Sequence, residues 1–307
     1  MKKLLTFLLL IFLLFTLSYA EADSYIYSGT KSIGNFLKIP IGARVEAMGN
    51  TYIALSDDIE GINSNPAGLA LEDRYLIGLT AGTYYLDLTY NFIGVMIPTE
   101  TMGNISISAI YLDYGTQDEL DEYGSLIGDF TCYDAAVTLT VSDTIFSGLY
   151  AGFNARYIET KLGDYSGGTL AGDIGILWNP SFYRSIFLGL VLRNFGMSMK
   201  LDEMPNELPL TYGAGIAYYP VKLTSHRLLL ALDYEKSEDT PDVFKFGFEY
   251  LLYETVAFRA GMEASEFSEK NFSYGIGLTR WDIGINYSMS SHKSLEAIQK
   301  ITIYYGF

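Results

Sequence analysis

Beyond its first twenty residues, this chain of 307 residues has no apolar run near the 18 or so residues that a membrane-spanning helix needs. It has one cysteine, Cys132, so an intramolecular disulfide cannot form. Basic residues are also scarce, because 20 Lys and Arg face 36 Asp and Glu and give a formal net charge of −16. These absences argue against a helical membrane protein, a disulfide-stabilised domain and a nucleic-acid partner.

What the chain does have, over residues 75–307, is a succession of segments in which apolar residues alternate with small or polar ones. In residues 272–279, Phe, Tyr, Ile and Leu fall on one face, and Ser, Gly, Gly and Thr fall on the other. Such alternation is typical of transmembrane strands, which turn the apolar face to lipid and the other face to the lumen. The sequence therefore predicts an all-β fold, an antiparallel transmembrane β-barrel whose exterior contacts outer-membrane lipid.

Turn-forming residues divide this region into fourteen predicted strands. They lie near 75–82, 86–97, 103–114, 130–142, 148–159, 169–178, 186–195, 211–219, 226–235, 243–251, 255–263, 271–279, 281–289 and 298–307. After the first hairpin, short turns alternate with longer polar connections, as expected for periplasmic turns and extracellular loops. The lumen-facing residues are expected to be mostly small and polar. A barrel of this size is too wide for side chains alone to fill, so the pattern predicts either a plug or a pore.

Residues 115–129, one of the two longest predicted connections, carry five of the acidic residues of the predicted outer mouth. We interpret this acidity as a solvated rim that favours solubility, and a site for cations or a basic partner is the alternative.

Both ends of the chain carry signals for export and assembly. Residues 1–20 combine Lys2 and Lys3, an apolar stretch over 4–17 and a small residue at position 20, which predicts a cleavable signal peptide. An uncleaved anchor is the alternative. The last strand alternates and includes Tyr305 and Phe307, and it resembles the terminal strand that the barrel-assembly machinery recognises. Together these signals predict the outer membrane of a diderm bacterium.

Residues 21–74 differ from the barrel region, because Val45, Met48, Tyr52 and Leu55 recur at helical rather than strand spacing. A segment of this size with few large apolar residues is a poor independent domain. The sequence therefore divides into a signal peptide (1–20), a short, partly helical N-terminal hatch (21–74) that occupies the lumen, and the barrel (75–307).

The hatch also contains a specific motif: Gly42, Ala43, Arg44, Met48, Gly49, Asp57, Asp58, Asn65, Pro66, Ala67 and Gly68. This motif resembles the N-terminal signature of the PorV/PorQ family, a branch of the FadL-like barrels of fourteen strands. The resemblance implies a hatch inside the lumen. The glycines are expected to permit close backbone approach, and Arg44 is expected to pair with a carboxylate such as Asp57, Asp58 or a lumen acid.

Two functions follow from that resemblance. The first is an accessory role in protein secretion of the type IX kind, through binding of a translocon or of cargo C-terminal domains. The alternative is a FadL-like channel for uptake or export of hydrophobic small molecules. Enzymatic activity is not expected, because His226 and His292 fall at opposite ends of the predicted barrel and can form neither a Ser-His pair nor a His-based metal site. A paired-carboxylate hydrolase among the outer-loop acids is the remaining enzymatic alternative. No cofactor is expected.

Overall fold

The computed structural model describes residues 32–201, 204–265, 270–292 and 296–307. The predicted signal peptide and the first residues of the predicted hatch lie outside these ranges. Within them, no helix combines the length and apolar character needed to cross a membrane.

Fourteen antiparallel strands close into a barrel, which confirms the expected fold class and strand number. Two further short strands, β8 and β9, form a separate ribbon between β7 and β10. In chain order the strands are β1 (Leu76–Thr83), β2 (Thr89–Thr99), β3 (Gly103–Leu120), β4 (Leu126–Phe146), β5 (Leu149–Leu162), β6 (Tyr165–Trp178), β7 (Ile186–Gly196), β8 (Met199–Leu201), β9 (Met204–Asn206), β10 (Thr211–Lys222), β11 (His226–Ser237), β12 (Thr240–Leu252), β13 (Val256–Ser265), β14 (Lys270–Arg280), β15 (Ile283–His292) and β16 (Ile298–Gly306).

The last strand closes the barrel by pairing with both β15 and β1. Tyr75 and Phe307 exchange two backbone hydrogen bonds of 3.0 Å each, and their rings stack with centroids 5.3 Å apart. The ring of Tyr305 stacks on the other side of Phe307, also at 5.3 Å. Closure leaves no open strand edge along the wall. Recognition of Tyr305 and Phe307 by the assembly machinery stays a prediction.

The exterior of the wall is apolar along the length of the strands. On β1, Leu79 is 50% exposed, whereas Thr80 beside it faces inward and is buried. Outward Ile93 on β2 and Ile107 on β3 are 49% and 58% exposed. A continuous belt of such side chains is unfavourable in water and suits a lipid environment.

The structure corrects the expected lengths of several connections. Residues 115–129, expected as a loop, are mostly strand, because β3 and β4 continue to pair past a bulge and leave only residues 121–125 between them. The expected loop 160–168 likewise shrinks to residues 163–164 between β5 and β6. Polar composition suggested loops there because strands that extend beyond a membrane no longer need an apolar outward face. We call this end of the barrel the long-hairpin rim, and the end that holds Phe307 the short-turn rim.

The hatch, over its described residues 32–74, contains one short α-helix, α1 (Ala43–Ala47), and three 3-10 helices at Asn35–Lys38, Ile59–Asn63 and Pro66–Leu71. Local side-chain caps fix two of these ends: the Asp58 carboxylate accepts from the Gly61 amide, and the Asn65 side chain accepts from the Ala67 amide.

Contacts on opposite sides of the wall place the hatch inside the barrel. The Asn104 amide of β3 donates to the Leu69 carbonyl at 2.5 Å, and the Asn154 amide of β5 donates to the Ile62 carbonyl at 3.0 Å. Across the lumen from β3, the Asp233 carboxylate of β11 accepts the backbone N–H of Tyr52 at 2.6 Å.

Candidate functional site: the interface between hatch and wall

Arg44 on α1 lies at the centre of a buried network of charges. Its guanidinium donates to Glu249 of β12 at 2.9 Å, to Asp57 at 2.6 Å and to Asp58 at 2.8 Å. It also lies over the Tyr52 ring, 5.4 Å from the ring centre, while the Tyr52 hydroxyl donates to Asp58 at 2.6 Å. One side chain thus joins two parts of the hatch to the barrel wall.

A second route connects the same groups through the wall. Arg259 of β13 donates to Glu249 at 2.7 Å and to the Asn286 side chain of β15 at 2.8 Å. Asn286 in turn donates to Glu60 at 3.0 Å, and Glu60 accepts the backbone N–H of Arg44 at 2.7 Å. The network is therefore a closed ring between hatch and wall, in which removal of one member leaves others buried without a partner.

Acidic groups outnumber basic ones in this network, and burial shifts their pKa values. Burial raises the pKa of Asp57 against the opposing effect of Arg44. Burial, together with the nearby Asp58 carboxylate, raises the pKa of Glu60 to about 7. Although burial opposes it, the carboxylates of Asp57 and Glu249 raise the pKa of Arg44 well above its ordinary value. Arg44 is thus the permanent positive charge around which the hatch is docked.

The raised pKa of Glu60 predicts that docking of the hatch weakens as pH rises. In a displaced hatch, Glu60 would regain an ordinary pKa near 4.5. The docked state therefore binds more protons between about pH 4.5 and 7, and its advantage is lost as pH rises through that window. We expect ion-conducting openings in planar bilayers to be several-fold more frequent at pH 8 than at pH 5. Glu60→Gln should flatten this dependence, and a variant that keeps all of it would refute the assignment to Glu60.

The glycines of the motif lie where backbone or side chains approach closely. Gly49 adopts φ +64°, and a Cβ there would lie 2.4 Å from the Met262 backbone nitrogen of β13. A Cβ at Gly42 would overlap Glu60, and one at Gly68 would lie 1.9 Å from the Ser56 carbonyl oxygen. Close packing accounts for all three glycines without a ligand.

The remaining motif residues pack the hatch against the wall. Ala43, Met48 and Ala67 are fully buried. The Asn65 side chain donates to the Ile53 carbonyl at 2.8 Å and to a wall carbonyl on β6 at 3.2 Å, and Pro66 begins the helix that follows.

Sequence reasoning missed several inward charges of the wall that meet the hatch. Asp233 of β11 accepts the backbone N–H groups of Tyr52 and Ile53 at 2.6 and 2.8 Å. Lys300 of β16 pairs with Glu46 at 3.1 Å, with both side chains fully buried. These contacts join residues more than 150 positions apart, so only the strand register reveals them.

Opposite the charge network, the interior contains an apolar compartment that the sequence analysis did not predict. It lies between hatch residues and the inner faces of β2–β6, and the ribbon contributes to it. Its buried side chains are Phe36, Leu37, Ile39, Ile41, Ile59, Ile62, Leu69, Leu76, Tyr90, Phe92, Met96, Ile110, Leu112, Ala136, Ile158, Ala171, Met199 and Leu208. The available signal was β2, where inward Tyr90, Phe92 and Met96 alternate with outward apolar residues, so that the strand is apolar on both faces.

The first part of the hatch, residues 32–41, enters this compartment and is fastened at the long-hairpin rim; we call it the strap. The Lys38 ammonium pairs with the Asp239 carboxylate at 2.6 Å, and the Ser32 hydroxyl contacts the same carboxylate. The Ile33 amide donates to the Glu207 carbonyl beside the ribbon at 3.0 Å. Asp239 lies in the turn between β11 and β12, so one turn holds both the Lys38 and the Ser32 side chains.

His226 begins β11 at the short-turn rim, with Nδ1 2.6 Å from the Tyr250 hydroxyl, whereas His292 ends β15 at the other rim. Among the described residues, no group of three His, Cys, Asp or Glu side chains is placed to hold a metal ion.

A model of the uncharacterised protein family UPF0164 matches residues 20–304. No curated protein sequence matches the chain. Among solved structures, the CymD monoaromatic hydrocarbon channel shares 12% identity at a TM-score of 0.61, over 92% of this chain and 99% of the channel. The Pseudomonas putida toluene transporter TodX shares 12% identity at 0.59, over 86% and 97%. A Pseudomonas aeruginosa FadL homologue shares 10% identity at 0.56, over 91% and 100%.

At sequence identities of 10–12%, the similarity to these structures is a similarity of fold. It supports the FadL-like part of the resemblance expected from the signature, while membership of the PorV/PorQ branch stays a prediction.

Proposed function

The chain belongs to the uncharacterised protein family UPF0164, and we propose that it is an outer-membrane channel for hydrophobic small molecules, with the long-hairpin rim facing outward. The observation that carries this proposal is the apolar compartment inside the barrel. An ion or a polar solute gains nothing from such a lining, whereas an apolar molecule leaves water on entering it.

The strap is the part of the hatch best placed to give access to the compartment. Its apolar side chains Phe36, Leu37, Ile39 and Ile41 fill part of the space that a permeant would occupy. Its salt bridge at the rim joins Lys38, whose side chain is 25% exposed, to Asp239, whose side chain is 6% exposed, so water reaches the Lys38 ammonium. The hydrogen-bond network around Arg44 holds the rest of the hatch against the wall. The strap can therefore move away while the part of the lumen around Arg44 stays closed.

The charges around Arg44 and the apolar compartment have different roles in this proposal. The Arg44 network keeps the lumen closed to ions on one side, and displacement of the strap opens an apolar route on the other. The secretion accessory expected first from the signature finds no comparable feature in the interior, and we therefore prefer the channel.

The test is selective permeation in intact cells of a diderm host that lacks channels of this type. Expression should speed the uptake of N-phenyl-1-naphthylamine, an apolar fluorescent probe, by several-fold over cells with an empty vector. Hydrolysis of nitrocefin, a polar cephalosporin, by a periplasmic β-lactamase should stay at the background rate. Faster uptake of both probes would indicate a general pore, and faster uptake of neither would refute the channel.

A further inference from the structure

Tyr90 on β2 brings a polar atom into the apolar compartment. Its side chain is fully buried, and no hydrogen-bond partner for its hydroxyl is present among the described residues. Buried tyrosine hydroxyls normally have a partner, because an unpaired polar group in apolar surroundings is unfavourable.

Three other tyrosines inside the barrel do have such partners. The Tyr52 hydroxyl donates to Asp58 at 2.6 Å, the Tyr114 hydroxyl donates to Asp134 at 2.6 Å, and the Tyr304 hydroxyl lies 2.8 Å from the Thr279 hydroxyl. Tyr90 therefore differs from these three tyrosines, because its hydroxyl has no partner and lies in the apolar compartment.

Two cations lie near Tyr90, Lys300 and Arg156, and both are already paired. The Lys300 ammonium lies 4.9 Å from the centre of the Tyr90 ring, pairs with Glu46 at 3.1 Å and donates to the Pro40 carbonyl of the strap. Glu46 balances the charge of Lys300, and Asp173 of β6 balances that of Arg156 of β5 at 2.8 Å, so the Tyr90 hydroxyl faces no unpaired charge. The contact with Pro40 also places Tyr90 next to the end of the strap.

We propose that Tyr90 selects permeants that are apolar except for one neutral hydrogen-bonding group, such as long-chain alcohols or ketones. This inference rests on the proposed channel function and specifies its substrate class. When the strap moves aside, the apolar body of the permeant takes the place of the strap side chains, and its hydroxyl or carbonyl bonds the Tyr90 hydroxyl. A site with an unsatisfied hydrogen-bonding group favours the ligand that satisfies it over a hydrocarbon of the same shape.

The test compares uptake of radiolabelled 1-dodecanol, dodecane and dodecanoate by host cells that express the full chain, after subtraction of uptake by cells with an empty vector. The wild type should take up the alcohol several-fold faster than the hydrocarbon and faster than the carboxylate. Tyr90→Phe, which keeps the ring under Lys300 and removes only the unpaired hydroxyl, should lower the alcohol-to-hydrocarbon ratio three- to tenfold. Tyr304→Phe, which removes a partnered hydroxyl from the charged half, is the matched control and should leave that ratio unchanged.

The outcomes separate this inference from the channel itself. Protein-dependent uptake of all three probes with a ratio that Tyr90→Phe does not change would overturn the role of Tyr90 and leave the channel standing. Fastest uptake of dodecanoate would overturn the neutral substrate class. Absence of protein-dependent uptake of every probe would refute the channel function, and the inference with it.

Discussion

Replacement of Arg44 by alanine is expected to displace the hatch from the wall and to open the barrel to ions. The free energy of unfolding should fall by about 3–5 kcal/mol, the range typical of a buried ion pair that loses one partner. Arg44 is nearly fully buried and holds Glu249, Asp57 and Asp58 together. Without it, three carboxylates face one another in a space with little water. Their repulsion should push the hatch from the wall, because Asp57 and Asp58 belong to the hatch and Glu249 belongs to β12.

The measurements are conductance in planar bilayers and the melting temperature of the folded, heat-modifiable band on gels. Arg74→Ala is the matched control, because Arg74 pairs with Glu72 and Asp282 at an exposed position where such pairs contribute about 0–1 kcal/mol. Arg44→Ala combined with Glu249→Gln removes one charge of each sign and should recover part of the lost stability. If the Arg44→Ala chain had the same low conductance and the same melting temperature as the Arg74→Ala control, the central role of this network would be refuted.

The barrel could be predicted from the sequence because each strand faces lipid on one side and the lumen on the other. In residues 272–279 the apolar and small positions alternate without interruption, and this segment lies within β14. The final strand had to pair with the first to remove the open edges, and the pairing of β16 with β1 follows that requirement. Strand ends were wrong where the strands leave the membrane, since the β3–β4 hairpin there is rich in acidic residues and glycine.

The contacts between the hatch and the wall were harder to predict from the sequence. Asp57 and Asp58 could be named as candidate partners of Arg44, because they are close to it in the chain. Glu249 is 205 positions from Arg44, and only the register of β12 and the placement of the hatch bring the two together.

The apolar compartment was missed for a different reason. Inward-facing residues were expected to be small and polar, which holds for much of β13–β16 but fails for Tyr90, Phe92 and Met96 of β2. A strand that is apolar on both faces has lipid on one side and something apolar on the other. In this barrel the apolar partner is the hatch.

A covalent lock on the strap should have the second large effect, because the proposed route to the compartment requires the strap to move. Ser32 and Asp239 are the pair chosen for a disulfide, because the contact between the Ser32 hydroxyl and the Asp239 carboxylate brings the two residues together. Ser32→Cys with Asp239→Cys would be made together with Cys132→Ser, so that no native thiol competes. The reduced form loses the Lys38–Asp239 pair and should open more readily than the wild type.

The most direct test of entry at the strap is the uptake of N-phenyl-1-naphthylamine by cells that carry this double-cysteine chain. The oxidised chain should reduce uptake to the rate of cells without the protein, and reduction of the disulfide should restore it to the wild-type rate or above. Each single-cysteine variant should be insensitive to the reductant. Equal uptake by the oxidised and reduced chains, with the disulfide verified by mass spectrometry, would contradict the proposal that hydrophobic molecules enter where the strap lies.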